Sequence, residues 1–216
     1  MAKNNVDFKF KDGSKIFFTS DQHFNHGHII KFCQRPFQTL KEMDAALIEN
    51  WNEVVPQDGL VFHLGDFAWG GFPKWREIRE QLNGEIILIK GNHDRKNGPQ
   101  SQYNYDALFQ YTSQQMFIEI EGRRVYLNHL PFLCYDGVYR DKNSLVYQLH
   151  GHVHLSNVRE RNNGKDCQRC FEMLFPTQYD VGVDFNNFTP ISWNEVNAKI
   201  TSQVEHDDNL RMWVNE

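Results

Sequence analysis

Long apolar runs are missing from this 216-residue sequence. No stretch approaches the roughly 20 apolar residues that a bilayer-spanning helix needs. The opening Met1-Ala-Lys-Asn-Asn5 lacks the apolar core of a signal peptide, so the expectation is a cytoplasmic chain without a membrane partner. Cysteine is scarce as well: Cys33 and Cys134 stand alone, and Cys167 and Cys170 form one pair. A structural zinc site needs a second pair of ligands at similar spacing. None is near, so the pair reads as two thiols in a polar surface loop. There is no excess of basic charge; the formal net charge is −5. That argues against the broad basic footprint of a double-stranded nucleic-acid binder. A phosphate substrate stays open, because divalent cations would change the sign of the charge where it matters.

Low-complexity sequence is absent too, and 40% hydrophobic residues with 14% aromatics imply a folded globule. A chain of this length buries about seven-tenths of its unfolded surface in one core, so residues 1–216 are expected to form a single domain. Strand, loop and helix patterns alternate along it. Gly27 to Cys33 reads as a short helix closed by Arg35-Pro36. Thr39-Leu-Lys-Glu42 is a capping box that opens a helix with Met43, Leu47, Trp51 and Val54 at helical spacing. A second helix is expected from Pro73, with Trp75, Ile78 and Leu82 inward, stopping at Asn83-Gly84. Phe117–Ile120 and Arg124–Leu127 flank Glu121-Gly122, a hairpin signal in which Glu is an unusual first turn residue. Residues 155 to 177 read as a long polar excursion and Tyr179–Val183 as a returning strand. Ser192-Trp-Asn-Glu195 is a second capping box, opening a last helix to about Ile200. Hairpins mixed with strand–helix units point to a mixed sheet, or to two packed sheets with helices outside.

The chemistry lies in five short polar motifs: Asp21-Gln-His23, Gly65-Asp66, Gly91-Asn92-His93-Asp94, Asn128-His129 and Gly151-His152-Val-His154. Four follow apolar runs that read as strands, namely 16–18, 60–62, 86–89 and 125–127; the fifth follows the weaker Leu145–Tyr147. Strand ends on one rim of a sheet are where an α/β fold collects its polar groups. Asp21 with His23, and His152 with His154, are spaced so that both side chains can reach one cation. A carboxylate such as Asp66 can place one oxygen on each of two metals. Nitrogen and hard oxygen without thiolate favour Mn, Fe, Zn, Co or Ni over Ca or Mg. Two such ions held close together would activate a water between them and clamp a phosphoryl group for in-line attack.

This ordered set resembles the calcineurin-like metallophosphoesterase superfamily, and Gly182-Val-Asp184 with Pro190 is similar to that family's closing strand. The resemblance implies an α/β fold (α+β in stricter schemes): a four-layer αββα sandwich of two mixed sheets flanked by helices. It implies a dinuclear centre of two divalent transition metals, Mn favoured. Asp21, His23 and His154 would hold one ion, Asn92, His129 and His152 the other, and Asp66 would bridge. It further implies a phosphoester hydrolase in which a metal-bridging hydroxide attacks phosphorus. His93 would be the general acid, with Asp94 orienting it. Protein phosphatases of the superfamily carry an Asp and an Arg shortly after the bridging Asp, and Glu after the catalytic His. Here Asp66 is followed by Phe67-Ala-Trp-Gly-Gly and His93 by Asp94. The chain is more similar to the small stand-alone prokaryotic and phage-type members, which share Phe24-x-His26 and Arg35-Pro36-Phe37.

Phosphodiesters are favoured over monoesters, with nucleotides among the candidate substrates. The alternatives are a nuclease for short or single-stranded nucleic acid and a non-catalytic metal-binding scaffold. Substrate contacts are expected from Asn25, His26, Arg35 and Trp69. His63 and His150, inside or at the end of apolar strands, read as satisfied, half-buried histidines, and His28 as a solvated helix residue. Oligomeric state and native metal are left open by the sequence.

Overall fold

The structure, a computed structural model, describes residues 6–137, 145–154 and 173–206. The polar stretch of 155–172, with Cys167 and Cys170, lies outside the described residues, as does the tail from 207.

Two five-stranded mixed sheets pack face to face, flanked by helices, as expected. The first has the order β10-β2-β3-β4-β5, where β2 is Ile16–Thr19, β3 Leu60–His63, β4 Glu85–Ile89, β5 Tyr111–Ser113 and β10 Ile191–Ser192. Strands β2 to β5 run parallel and β10 is antiparallel to β2. The second has the order β1-β6-β7-β8-β9, with β1 Phe8–Phe10, β6 Gln115–Ile120, β7 Arg123–Asn128, β8 Tyr147–His150 and β9 Gln178–Asp180. Among its described strands only the β6–β7 pair is antiparallel.

The near-continuous apolar runs of the first sheet follow from burial on both faces. Phe18, Phe62, Ile87 and Ile89 point inward, where Met116, Ile118, Ile120, Val125 and Leu127 of the second sheet meet them. Phe17, Val61, Ile86 and Leu88 point outward, under helix α2 (Leu40–Val54) and helix α3 (Gly71–Arg79). In the second sheet β6 and β7 alternate instead: Phe117 and Tyr126 face away from the core and stack at 4.2 Å.

Helix α2 starts where its sequence says, with Thr39 Oγ1 accepting from the Glu42 amide at 3.1 Å. The Glu42 carboxylate reaches back one residue further than a standard box, to the Gln38 amide. Met43, Leu47 and Trp51 are fully enclosed. Helix α3 begins at Gly71, two residues before Pro73, and ends at Arg79 rather than at Asn83-Gly84. The Arg79 guanidinium donates to the carbonyls of Leu82, Gly84 and Leu108, which replaces the missing helical turns. The last helix, α6 (Trp193–His206), runs past Ile200 because Val204 is also buried against the core. The remaining helices are short: α1 (His28–Phe32), α4 (Asp94–Asn97) and α5 (Gln102–Asp106). No helix among the described residues is long and apolar enough to cross a membrane.

Candidate metal centre

Parallel pairing places the ends of β2, β3 and β4 on one rim, and β7 and β8 bring their ends to the same place from the other sheet. The junction is tied by the Val183 amide, which donates to the Ser20 carbonyl at 3.0 Å. Beyond the strand ends the backbone turns sharply. Asp21, His23, Asp66, His152 and His154 all have positive φ, between 47° and 71°. Left-handed backbone is uncommon for residues with side chains and collects at functional sites. Thus both two-residue spacings converge through repeated left-handed turns, not through strand alternation. Small residues make the approach possible: a side chain at Gly91 would collide with Asp66 Oδ1, and one at Gly151 with the Asp21 carboxylate.

Two donor clusters are built from the expected ligands. Asp21, His23 and His154 form one, and Asp66, His129 and His152 the other; Cys33, with His154 and Asp184, makes a further group that overlaps the first. In the first, Asp21 Oδ1 lies 4.0 Å from His23 Nε2 and 3.7 Å from His154 Nε2. In the second, Asn92 Oδ1 lies 2.9 Å from both His129 Nε2 and His152 Nδ1. Asp66 Oδ2 sits between the two, 3.5 Å from His23 Nε2 and 3.4 Å from His129 Nε2. These spacings match the edges of a coordination polyhedron, since ligands about 2.1 Å from a tetrahedral ion lie about 3.4 Å apart. Asp21 Oδ1 and His23 Nε2 are buried with no hydrogen-bond partner. Buried polar atoms are rarely left so, and a cation between them would satisfy both.

The surrounding groups hold these donors in place. His129 Nδ1 meets the Leu64 carbonyl at 2.7 Å and His154 Nδ1 meets Asp184 Oδ2 at 2.7 Å, so each ring turns its Nε2 to the centre. That is the carboxylate or carbonyl support typical of ligating histidines. Asp66 Oδ1 accepts from the His93 amide at 2.9 Å, leaving Oδ2 for the centre. The charges agree with a cation-shaped site. Burial disfavours a proton on His129, but the Asp66 hydrogen bond and the charges of Asp21 and Asp66 outweigh it and raise the imidazole to about 9. Burial likewise opposes the charged Asp184, yet Arg35 and His154 hold its carboxyl well below the usual range.

Two expectations are corrected. Arg35 is only 4% exposed. Its guanidinium forks onto both Asp184 oxygens at 2.9 Å, onto the carbonyls of Gln22 and Asp21, and onto Met43 Sδ at 3.5 Å. No donor is left for a phosphate. Asp94 does not orient the His93 ring either. Its buried carboxylate accepts from the backbone amides of Asp66, Phe67 and Gly91, fixing the loops that carry Asp66 and Asn92. Burial first and the nearby Asp66 second raise it to about 6.

The rim is aromatic. His26 stacks on Trp69 with ring centroids 4.1 Å apart, and the His93 ring lies 5.3 Å from both Trp69 and His23. Burial, then the neighbouring His93, lower His26 to about 4, so it is neutral at pH 7. Asn25 supports this rim from within: its amide nitrogen donates to Trp69 O, and its backbone to Asp44 on α2. His28 is exposed. His63 and His150 are fully enclosed rather than half-buried, and each leaves its Nε2 without a partner. Sequence reasoning missed Asp184 as the support of His154, and Asp44 as the anchor of Asn25. The Asp of Gly182-Val-Asp184 offered a signal for the first; the second had none.

The chain is similar to known proteins over most of its length. The model of the calcineurin-like phosphoesterase superfamily domain matches residues 15–170. The uncharacterized protein MJ1445 of Methanocaldococcus jannaschii is 34% identical over 182 residues, covering 82% of this chain and 86% of its own. The Gene 66 protein of Mycobacterium phage D29 is 27% identical over 196 residues, with 79% of this chain and 88% of the phage protein covered. The crystal structure of AQ665, a protein of unknown function from Aquifex aeolicus, superposes with a TM-score of 0.63 at 25% identity. It covers 85% of this chain and 97% of the Aquifex chain. With the motifs, the paired donor clusters and a family match over most of its length, the chain belongs to the calcineurin-like phosphoesterase superfamily.

Proposed function

We propose that the protein is a dinuclear metal-dependent phosphoester hydrolase that prefers phosphodiesters. The reading rests above all on Asp66 Oδ2, set between two nitrogen and oxygen clusters, beside a buried Asp21 oxygen and His23 nitrogen that lack partners. Asp21, His23, His154 and Asp66 would hold one ion, and Asp66, Asn92, His129 and His152 the other, with Mn the ion of choice. Bound there, two divalent ions supply Lewis acidity to the phosphoryl oxygens and lower the pKa of a coordinated water. The first cluster is deep, whereas Asn92 and His152 are exposed, so substrate enters on their side. His93, partly exposed beside them, donates a proton to the departing oxygen. Its backbone is fixed by Asp66 Oδ1 and its carbonyl accepts from Asn97 Nδ2.

The preference for diesters follows from the rim's charge. A monoester dianion asks for an additional cation, but Arg35 is committed to Asp184 and His26 is neutral. An uncharged aromatic rim of His26 and Trp69 suits a monoanion with an organic leaving group. The test is the Mn-loaded protein on aryl monoester and aryl diester, with bound metal counted. The diester should turn over faster. His93→Ala should lower its kcat by two to four orders of magnitude while two metals per chain are retained. Equal turnover of the diester by that variant would remove the acid role, and monoester preference would remove the diester reading.

A further inference from the structure

An open cavity of about 320 Å³ lies beside the centre, between Trp69 and Phe72 on one side and Lys96, Asn97, Gln100 and Asn104 on the other. None of these residues except Trp69 belongs to the five motifs or their rim. Its position follows from His93. Asn97 is one helical turn beyond His93 and donates to its carbonyl at 3.2 Å, and Trp69, which lines the cavity, is 5.3 Å from the His93 ring. A leaving oxygen within reach of His93 therefore has the rest of its molecule directed toward this space.

The lining has a definite chemistry. The indole is a stacking platform, already covered on one face by His26. Three carboxamides, Asn97, Gln100 and Asn104, offer donors and acceptors in pairs. Among the described residues Asn97 and Gln100 spend only their amide nitrogens, on the carbonyls of His93 and Gly98, and their amide oxygens have no partner. The Asn104 side chain has no hydrogen-bond partner among the described residues. Lys96 is exposed and makes no ion pair among them. A platform for a π-face, amides for the edge of a heterocycle and a cation for a further phosphate describe a receptor for a nucleobase and its flanking phosphate. The volume is within the range of sites for small organic ligands.

We propose that this cavity is a nucleoside subsite: it receives the base of the leaving nucleoside when a nucleotide phosphodiester is cleaved. The base stacks on the part of Trp69 that lines the cavity, the carboxamides read its edge, and Lys96 meets the next phosphate. The assignment rests on the phosphodiesterase reading above and narrows its substrate class.

Two measurements test it. In the first, the Mn-loaded protein and its Asn104→Leu variant are compared on a dinucleotide and on methyl p-nitrophenyl phosphate, whose leaving group has no heterocyclic edge. The kcat/KM of the variant should fall at least tenfold further on the dinucleotide. An equal loss on both substrates would overturn the subsite. In the second, adenosine and ribose are titrated into the metal-free protein by NMR, with Asn104→Leu and Trp69→Leu alongside. Adenosine should bind, ribose should not, and both variants should weaken adenosine at least tenfold. No binding by adenosine, or binding that neither variant weakens, would overturn the proposal. Because the second measurement needs no turnover, it decides the subsite even if neither diester is hydrolysed, an outcome that would count against the hydrolase reading alone.

Discussion

Asp184 shows how much one carboxylate can hold. It takes both forks of a buried guanidinium and also braces the Nδ1 of His154. Replacing it with Asn leaves Arg35 buried with a lost counter-charge, which costs about 3–5 kcal/mol when a buried pair is broken from one side. Asp184→Asn should also weaken metal binding at the Asp21–His23–His154 cluster by about 10–100-fold, the usual effect of losing a support of a ligating His. Metal titration by calorimetry reads this; unchanged affinity for both ions would show that His154 is positioned without Asp184. His63 makes a different residue-scale statement. Enclosed between Trp51 and Phe67, it accepts from the Gly65 amide through Nδ1, and burial lowers it from 6.5 to about 3. Between those values the unfolded chain binds a proton and the folded chain does not. Stability therefore rises with pH across that window and is lost on acidification. In urea unfolding at pH 6.5 and 4.5, His63→Asn, which keeps an acceptor for Gly65, should lose about 2–3 kcal/mol less than the parent. Parallel losses would mean that His63 is protonated in the folded state.

At the scale of elements, the β6–β7 hairpin explains its own odd turn. Glu121 and Gly122 have φ of 52° and 81°, the left-handed pair that a tight two-residue hairpin demands. Glu is a poor choice for that backbone, but its carboxylate accepts from the Gly13 amide and from Trp193 Nε1, each at 3.0 Å. One side chain thus ties the hairpin to the approach of β2 and to the start of α6. Glu121→Ala leaves both donors without their partner and should cost about 1–3 kcal/mol. For a chain of this size that is a fall of roughly 3–10 °C in Tm, with Glu121→Gln losing less. A Tm within a degree of the parent would mean that the turn is held by its strands alone. The capping boxes at Thr39 and Ser192 were legible in advance because they are local patterns. The true end of α3 was not, because Arg79 closes that segment through the nearby carbonyls of Leu82 and Gly84 together with the distant one of Leu108.

For the whole molecule, ions held by the clusters at the junction of the two sheets would make metal binding and folding one equilibrium. Asp21 comes from the first sheet, His152 and His154 follow the second, and the His152 amide donates to Asp21 Oδ2 at 2.8 Å. Ions held there would bind the folded chain and not the unfolded one. Stripping with EDTA should lower Tm, and adding Mn back should restore it in a concentration-dependent way. At one hundred times Kd the gain is about 2.7 kcal/mol per site. Calorimetric scans across a Mn titration check this, with Mg expected to stabilise less because the donor set is rich in nitrogen. A Tm that does not respond to any of these ions would remove the metal centre.

The sequence by itself determined which polar residues would meet at one rim of the sheets. Asp21, His23, Asp66, Asn92, His129, His152 and His154 can be picked out because short motifs follow strand-forming runs, and a run of side chains fixes its strand locally. What only the tertiary structure decided is how far each group is committed elsewhere. Arg35 looked free to bind phosphate until Asp184, 149 residues away, claimed its fork. Asp94 looked free to orient His93 until three backbone amides turned to it. Hydrogen bonds saturate and buried charges must be paired, so a side chain's availability depends on every neighbour that folding brings to it, and spacing along the chain does not record those neighbours.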